Sequence, residues 1–361
     1  MIADSVEFAT SDVGRHFGML VATCASSSTR PLRLRTLPTP TRSRARAASD
    51  SHASVSSPER SSRGRVAASA AETTGSTRAM KLDAHLHVWP SPAAYAYAPG
   101  KEPPAGLAES STTEALLEQC DRAGIHGALI VQPINLMYDH AYVSEALRAH
   151  PGRFVGCCLA DPSVGGGGAA ALGDLLAPHG PFRAVRFNPG LWPEGERMSN
   201  EAGKAMFALA GERDAFVGFM CFHGLHLHVE DIKDLCAEFP GTRVLMDHFG
   251  FVKGVDDPNW LALLSLAEFP QVCVKASAQF RVAPEGEQWP YASTGPQMRG
   301  LLDAFGPDRV VWGSDFPYVE EQCGYERASA ITENCGAELS VEEVEAVMGG
   351  NLARMFPGGW S

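Results

Sequence analysis

The sequence lacks three features that would place it in common protein classes. No uninterrupted apolar run reaches the roughly 18–20 residues that a membrane-spanning helix needs. The nine cysteines are scattered and include no CxxC pair, which argues against a disulfide framework and a cysteine zinc site. No GxGxxG motif is present, and the glycine run 165–168 is interpreted as a flexible loop. We therefore expect neither a membrane partner nor a dinucleotide-binding fold.

The chain also lacks an excess of positive charge, since its formal net charge is −12. This balance argues against nucleic acid as a partner. The charge is unevenly distributed: residues 1–79 contain 11 arginines, no lysine and six acidic residues, a net +5. The remaining residues therefore carry a net −17, since −12 − 5 = −17. A basic leader precedes an acidic body.

Residues 1–79 are predicted to form a disordered leader, ahead of one domain over 80–361. Most of the leader consists of Ser, Thr, Ala, Arg and Pro, which bury too little apolar surface to fold. An Arg-rich, Ser-rich and acid-poor composition is typical of organellar transit peptides. Val66-Ala67-Ala68-Ser69 resembles a stromal processing site. The predicted location is the chloroplast, with the mitochondrion as the alternative.

Short apolar runs alternate with amphipathic stretches throughout the body. The predicted strands are Lys81–Val88, Ala128–Gln132, Phe154–Ala160, Ala184–Asn188, Val217–Phe222, Val244–His248, Val272–Ala276 and Val310–Gly313. The predicted helices are Thr113–Ala123, Ala141–His150, Asn200–Arg213, Val229–Phe239, Pro258–Phe269, Pro296–Phe305, Val341–Met348 and Leu352–Phe356. Eight strands that alternate with helical stretches predict a (β/α)₈ TIM barrel. A doubly wound open sheet is the alternative.

The first predicted strand carries an HxH motif. Its apolar residues alternate with polar ones, so strict alternation places Asp83, His85 and His87 on one face. Two imidazoles held in this way can bind a metal ion or bracket a polar substrate.

Further polar residues follow the ends of later strands. They are Arg186 and Asn188, Asp247 and His248, Lys275 and Arg281, and Asp315. Because active sites of (β/α)₈ barrels lie at the carboxyl ends of the strands, these residues are candidates for one site.

These motifs together resemble the amidohydrolase superfamily. The matching stretches begin with Asp83-Ala84-His85-Leu86-His87 and continue through Val185–Asn188, Met246–Gly250, Val274–Ala276, Val311–Pro317 and Gly350–Arg354. They are similar to the amidohydrolase-related branch, which contains pyrone-dicarboxylate lactonase and other small lactone hydrolases.

The resemblance implies a role for each residue. Asp315 would take a proton from the attacking water, with His248 as a second catalytic residue. His85 and His87, with Asp315, would bind one divalent ion such as Zn²⁺ or Mn²⁺. In a metal-free alternative, the histidines would polarise the substrate carbonyl. Arg186, Arg281 and Asn188 would bind an anionic small-molecule substrate.

The sequence departs from this family pattern at several positions. The expected histidine at the end of strand five is absent, leaving Cys221 or His223 as substitutes. Strand four offers no bridging Lys or Glu, so a binuclear site is not expected. A third substrate arginine is replaced by Phe251. These changes favour a smaller, less charged and partly aromatic acid or lactone over a pyrone dicarboxylate.

Three functional hypotheses follow. The first is a hydrolase of a small carboxylate-bearing lactone, ester or amide, with water activated by Asp315. The second is a metal-dependent decarboxylase of a small aromatic acid. The third is a non-catalytic binding barrel, motivated by the missing strand-five histidine.

Overall fold

The computed structural model describes residues 80–361, which cover the predicted barrel domain. The predicted leader over residues 1–79, with its candidate processing site, lies outside the described residues. Its disorder, the domain boundary and the chloroplast location therefore stay predictions.

Eight parallel strands form one sheet whose order follows the chain from β1 to β8. The strands are β1 Leu82–Leu86, β2 Gly127–Val131, β3 Phe154–Leu159, β4 Phe182–Phe187, β5 Phe216–Phe219, β6 Arg243–Met246, β7 Val272–Ser277 and β8 Val310–Gly313. The strand sequences are nearly continuous apolar runs, because the helices cover one face of the parallel sheet and the barrel core covers the other. The predicted (β/α)₈ barrel is confirmed, and the open-sheet alternative is wrong.

The sheet closes on itself where β8 meets β1. The backbone N–H of Asp315 donates to the His85 carbonyl at 2.8 Å, and that of His87 donates to the Phe316 carbonyl at 2.7 Å. Gly313 is required at this seam, since a Cβ there would lie 2.8 Å from the backbone nitrogen of His85. The same hydrogen bonds that close the barrel therefore fix the backbone of three candidate site residues.

A β-bulge interrupts β1. Asp83 pairs with Ala128 and Leu86 with Ile130, so β1 contains one extra residue between them. As a result, Ala84 packs inside the barrel whereas Leu86 packs in the outer core against the helices. The prediction that Asp83 shares a face with His85 and His87 is wrong, because it assumed uninterrupted alternation.

Helices surround the barrel on its outer side. They are α1 Thr113–Ala123, α2 Ala141–Ala149, α3 Gly168–Leu175, α4 Glu201–Glu212, α5 Val229–Glu238, α6 Asn259–Ser265, α7 Gln279–Val282, α8 Gly295–Phe305, α9 Tyr325–Ala328, α10 Ile331–Asn334, α11 Val341–Glu345 and α12 Asn351–Met355. Thr112 caps α1, and Ser340 forms a capping box with Glu343 at α11. Helix α3 was not predicted, since it begins within the glycine run that was interpreted as a loop.

The lower interior of the barrel is filled by apolar side chains. Strand residues such as Val155, Phe216 and Val311 form one cluster with Met355 and Phe356 of the C-terminal segment. Because this end is packed solid, access to the interior is confined to the carboxyl end of the strands.

Two further findings concern the described part of the chain. Its helices include none that is long and apolar enough to cross a membrane. Its eight cysteines are all free thiols, and the seven buried ones pack as small apolar residues.

Candidate active site

Four side chains from three strand ends converge above the barrel interior. Asp315 Oδ1 lies 3.6 Å from His87 Nε2, 3.8 Å from His248 Nε2 and 3.9 Å from His85 Nε2. The His85 and His248 ring centroids are 4.3 Å apart. All four residues are buried. The structure thus brings the predicted catalytic and metal-binding residues together, with the Asp315 carboxylate at their centre.

Asp83 supports this group from the outer side of the barrel. Its Oδ1 accepts hydrogen bonds from the backbone N–H of His85 at 2.9 Å and of Ser314 at 3.0 Å. Its Oδ2 accepts the hydroxyl of Tyr325 at 3.0 Å. Burial raises the pKa of the Asp83 carboxyl to about 6. Asp83 therefore braces the backbone of β1 and β8 where these strands deliver their site residues.

The backbone is unusual at two of the site residues. His248 and Asp315 have φ angles of 50° and 62°, in the left-handed region that non-glycine residues seldom adopt. Such conformations cost on the order of 1–3 kcal/mol each and persist where the surrounding structure enforces them. The barrel therefore holds these side chains in place before any substrate arrives.

Burial favours the neutral form of all three site histidines. Burial is the main cause that lowers the pKa of His85 and His248 well below the usual value, and that of His87 to about 3. The Nδ1 of His87 lies 2.8 Å from the Val131 carbonyl, so it carries the proton and donates it. The Nε2 of His87 is therefore an unprotonated nitrogen directed at Asp315.

Arg281 holds the second oxygen of Asp315. The guanidinium Nε donates to Asp315 Oδ2 at 2.6 Å, and the guanidinium carbon lies 4.7 Å from the Tyr318 ring centroid. Burial raises the pKa of Asp315, and the charges of Arg281 and Arg186 oppose this rise. The Oδ1 atom remains directed at the histidines, where a carboxylate can accept a proton.

A buried ion pair lies beneath His85. Lys275 Nζ is 2.9 Å from Asp247 Oδ1 and 3.2 Å from His85 Nδ1. Both residues of the pair are fully buried. His248 is held separately, with its Nδ1 2.8 Å from the hydroxyl of Ser277. Each of these two histidines therefore has its inner nitrogen engaged, leaving its Nε2 directed toward Asp315.

Arg186 is a buried guanidinium that has no carboxylate partner among the described residues. It is 4% exposed, donates from Nη2 to the Gln132 carbonyl at 3.2 Å, and leaves its Nε unpartnered. A buried charge in this state is costly unless an anion binds it. This geometry agrees with its predicted role in substrate binding.

A cavity of about 520 Å³ adjoins the site, which it meets at Arg281 and Tyr318. Its walls are largely aromatic, with Phe222, Phe251, Phe280 and Tyr318 around the mouth. The same cavity is also lined by two cations, Lys253 and Arg281, and by two carboxylates, Glu285 and Glu321. A ligand in this cavity would contact both aromatic faces and charged groups.

Three other candidate residues are placed differently. The side-chain oxygen of Asn188 accepts a hydrogen bond from Gly190 N at 3.0 Å and so caps the turn after β4. Cys221 is buried in the outer core, and His223 is exposed, because β5 ends at Phe219 rather than at the predicted Phe222. Neither Cys221 nor His223 joins the histidine cluster, and the substrate role of Asn188 stays a prediction.

Asp247 and Lys275 were predicted to lie at the site without a stated role, and Ser277 was missed. Lys275 and Ser277 follow Cys273 at intervals of two residues along β7, so they share its face. Cys273 faces the barrel interior. Asp247 directly precedes His248 in the strand-six motif. Alternation along β7 could therefore have added Ser277 to the site.

Three of these side chains could hold one metal ion. Ligand atoms of His85, His87 and Asp315 all lie within 4.8 Å of one another. The unprotonated His87 Nε2 suits this role, and His85 Nε2 is buried without a hydrogen-bond partner. Whether His85 can serve as a ligand depends on which of its nitrogens carries the proton. With His85 Nε2 unprotonated, the donor set would fit a single divalent ion such as Zn²⁺, held by two nitrogens and one oxygen.

A (β/α)₈ barrel with neutral histidines and a buried carboxylate at its strand ends defines a class of enzyme that activates water. Comparison with known proteins gives the family: the amidohydrolase family model matches residues 82–358. The chain belongs to this amidohydrolase family and is a hydrolase.

Two curated relatives and one solved structure illustrate the similarity. The chain is 28% identical over 247 residues to 4-sulfomuconolactone hydrolase of Hydrogenophaga intermedia, covering 65% of this chain and 74% of the relative. It is 27% identical over 249 residues to 2-pyrone-4,6-dicarbaxylate hydrolase of Comamonas testosteroni, covering 66% and 76%. The crystal structure of a zinc-bound amidohydrolase from Burkholderia multivorans superposes with a TM-score of 0.59 at 21% identity, covering 77% and 99%.

Proposed function

We propose that this chain hydrolyses a small lactone that carries one carboxylate, with Asp315 as the general base. The observation that carries the proposal is the buried Asp315 carboxylate facing three neutral imidazoles. A carboxylate whose pKa is raised by burial is better matched to proton transfer near neutral pH than an exposed one.

The attacking water would bind between Asp315 and His87. Asp315 Oδ1 and His87 Nε2 are both hydrogen-bond acceptors and lie 3.6 Å apart. A water molecule that donates one hydrogen to each would have its lone pair free for attack. Asp315 would then take the proton as the water adds to the lactone carbonyl, and would return it to the departing ring oxygen.

The charge of the site favours an anionic substrate. Its floor contains three cations, Lys275, Arg186 and Arg281, and two carboxylates, Asp247 and Asp315. Lys275 is paired with Asp247 and Arg281 with Asp315, which leaves the Arg186 guanidinium as the cation that a substrate carboxylate would pair with. Arg186 is the group without a carboxylate partner among the described residues, so we assign the substrate carboxylate to its guanidinium.

The relatives and the cavity walls together suggest the rest of the substrate. The two curated relatives are named as hydrolases of a sulfomuconolactone and of a pyrone dicarboxylate. In this chain the cavity mouth is lined by aromatic side chains, including Phe251. A second anionic group would meet an apolar surface there, whereas an apolar or aromatic substituent would pack against it.

A matched substrate set tests the proposal. The purified protein is given a 2-pyrone monocarboxylate, its methyl ester and a 2-pyrone dicarboxylate, and ring opening is followed by absorbance. We expect the highest kcat/KM for the monocarboxylate. A higher kcat/KM for the methyl ester would contradict the proposal that the enzyme binds a substrate carboxylate. Carbon dioxide release without ring opening would favour the decarboxylase hypothesis.

Metal content is a second test. In the His85 tautomer with an unprotonated Nε2, the residues His85, His87 and Asp315 would hold at most one equivalent of divalent ion, and that ion would supply a Lewis acid for the carbonyl. Elemental analysis of the purified protein gives the stoichiometry. Two equivalents would contradict a mononuclear site.

A further inference from the structure

The geometry points to Lys275 as the residue that fixes the tautomer of His85 and so makes His85 Nε2 a hydrogen-bond donor to the substrate carbonyl. This inference concerns a positioning residue, and its catalytic meaning rests on the proposed function. The alternative tautomer would present an unprotonated Nε2, which is the form that binds a metal ion.

Lys275 is placed where it can control His85. It lies on β7, and its side chain is 1% exposed. Its ammonium is 2.9 Å from Asp247 Oδ1 and 3.2 Å from His85 Nδ1. The same Asp247 oxygen is 3.3 Å from His85 Nδ1. The three groups therefore form one buried triangle beneath the imidazole.

The hydrogen-bond inventory decides the tautomer. A lysine ammonium has three donors and no acceptor, so its contact with His85 Nδ1 requires a lone pair on that nitrogen. A neutral imidazole has one proton, which must then be on Nε2. Without Lys275, Nδ1 would carry the proton and donate it to Asp247, which is the arrangement common in metal sites.

The tautomer of His85 determines whether its Nε2 can donate a hydrogen bond to the substrate. His85 Nε2 has no hydrogen-bond partner and lies 3.9 Å from Asp315 Oδ1, too far for a direct hydrogen bond. A proton on Nε2 would be available to the lactone carbonyl oxygen as negative charge develops on it. Lys275 thereby selects carbonyl polarisation by His85 over metal ligation by His85.

Nitrogen NMR tests the tautomer directly and needs neither substrate nor turnover. Protein labelled with ¹⁵N-histidine is prepared without added metal, and the His85 ring nitrogens are assigned by their loss in His85→Gln. We expect the wild-type spectrum to show protonated Nε2 and unprotonated Nδ1. A protonated Nδ1 in the wild type would overturn the inference, whatever the lactonase assays give.

Removal of the lysine charge provides the second test. In Lys275→Met we expect the proton to move to Nδ1 and the association constant for zinc to rise about tenfold or more by calorimetry. Lys204→Met, which alters an exposed ion pair with Glu238, is the matched control and should change neither. An unchanged His85 tautomer in Lys275→Met would show that the lysine has only a structural role.

Loss of one partner from a buried ion pair is strongly destabilising, and Lys275→Met could fail to fold. The wild-type spectrum then decides by itself, because it needs no substitution: a protonated Nε2 supports the inference and a protonated Nδ1 overturns it.

Discussion

The two ends of the barrel are built from the same strands but carry opposite chemistry. On β7, Cys273 packs in the apolar cluster, whereas Lys275, two residues later, forms a buried ion pair. On β4, Ala184 belongs to the apolar cluster and Arg186 to the site. One step of two residues, about 7 Å along a strand, therefore separates packing from chemistry. This comparison predicts that substitutions at the upper end alter catalysis and those at the lower end alter stability.

The largest effect is expected for Asp315→Asn. The variant keeps the shape of the side chain but removes the proton acceptor, so kcat should fall by about 10²–10⁴-fold, the usual contribution of a general base. Steady-state hydrolysis measures it. Asp303→Asn, on an exposed carboxylate paired with Arg299, is the matched control and should retain activity. Full activity in Asp315→Asn would show that Asp315 is not the general base.

Phe216→Ala should show the opposite behaviour at the lower end. The Phe216 ring is buried and packs against Phe356, with centroids 5.0 Å apart. Truncation of a buried phenylalanine costs about 3–5 kcal/mol of folding stability. Urea denaturation measures the loss, and KM of the folded enzyme should not change. A large change in KM at wild-type stability would break the comparison between the two ends.

Two arginines of β4 offer a sharper comparison within one strand. Arg186→Met should weaken binding of an anionic ligand by about 1.5–3 kcal/mol, since it removes a charge-assisted hydrogen bond. Arg183→Met, at the lower end, removes a hydrogen bond to the Pro357 carbonyl and should leave KM unchanged. Inhibition by a carboxylate product measures both. Equal effects would mean that Arg186 does not bind the substrate carboxylate.

The smallest effect is expected for Tyr325→Phe, which tests the support beneath the site. The hydroxyl of Tyr325 donates to Asp83, whose second oxygen still accepts two backbone N–H groups. We expect a loss of about 0.5–1.5 kcal/mol in stability. Tyr95→Phe removes a hydrogen bond to Asp139 that is exposed and should cost less. A larger loss at Tyr95 would argue against Asp83 as a brace of the closing seam.

The order of short apolar runs and amphipathic stretches predicted most of the fold, and the errors have identifiable physical causes. All eight strands were found, because strands buried on both faces leave long apolar signals. Helix α3 was missed because the glycines before it suggested a loop, although Ala and Leu follow them. Asp83 was assigned to the wrong face of β1, because the prediction did not include the β-bulge. That bulge arises from the pairing of β1 with β2. A β-bulge carries little local signal when only one strand is considered.

The sequence by itself determined the barrel, the family likeness and the identity of Asp315, His85, His87, His248 and Arg186 as candidate site residues. These follow from periodicity and from the type of residue at each strand end, which are local properties. Tertiary structure decided which groups face each other: the brace by Asp83, the pairing of Arg281 with Asp315, and the ion pair beneath His85. Such contacts join residues that are distant from one another in the sequence, and only the closed sheet fixes the distances between them.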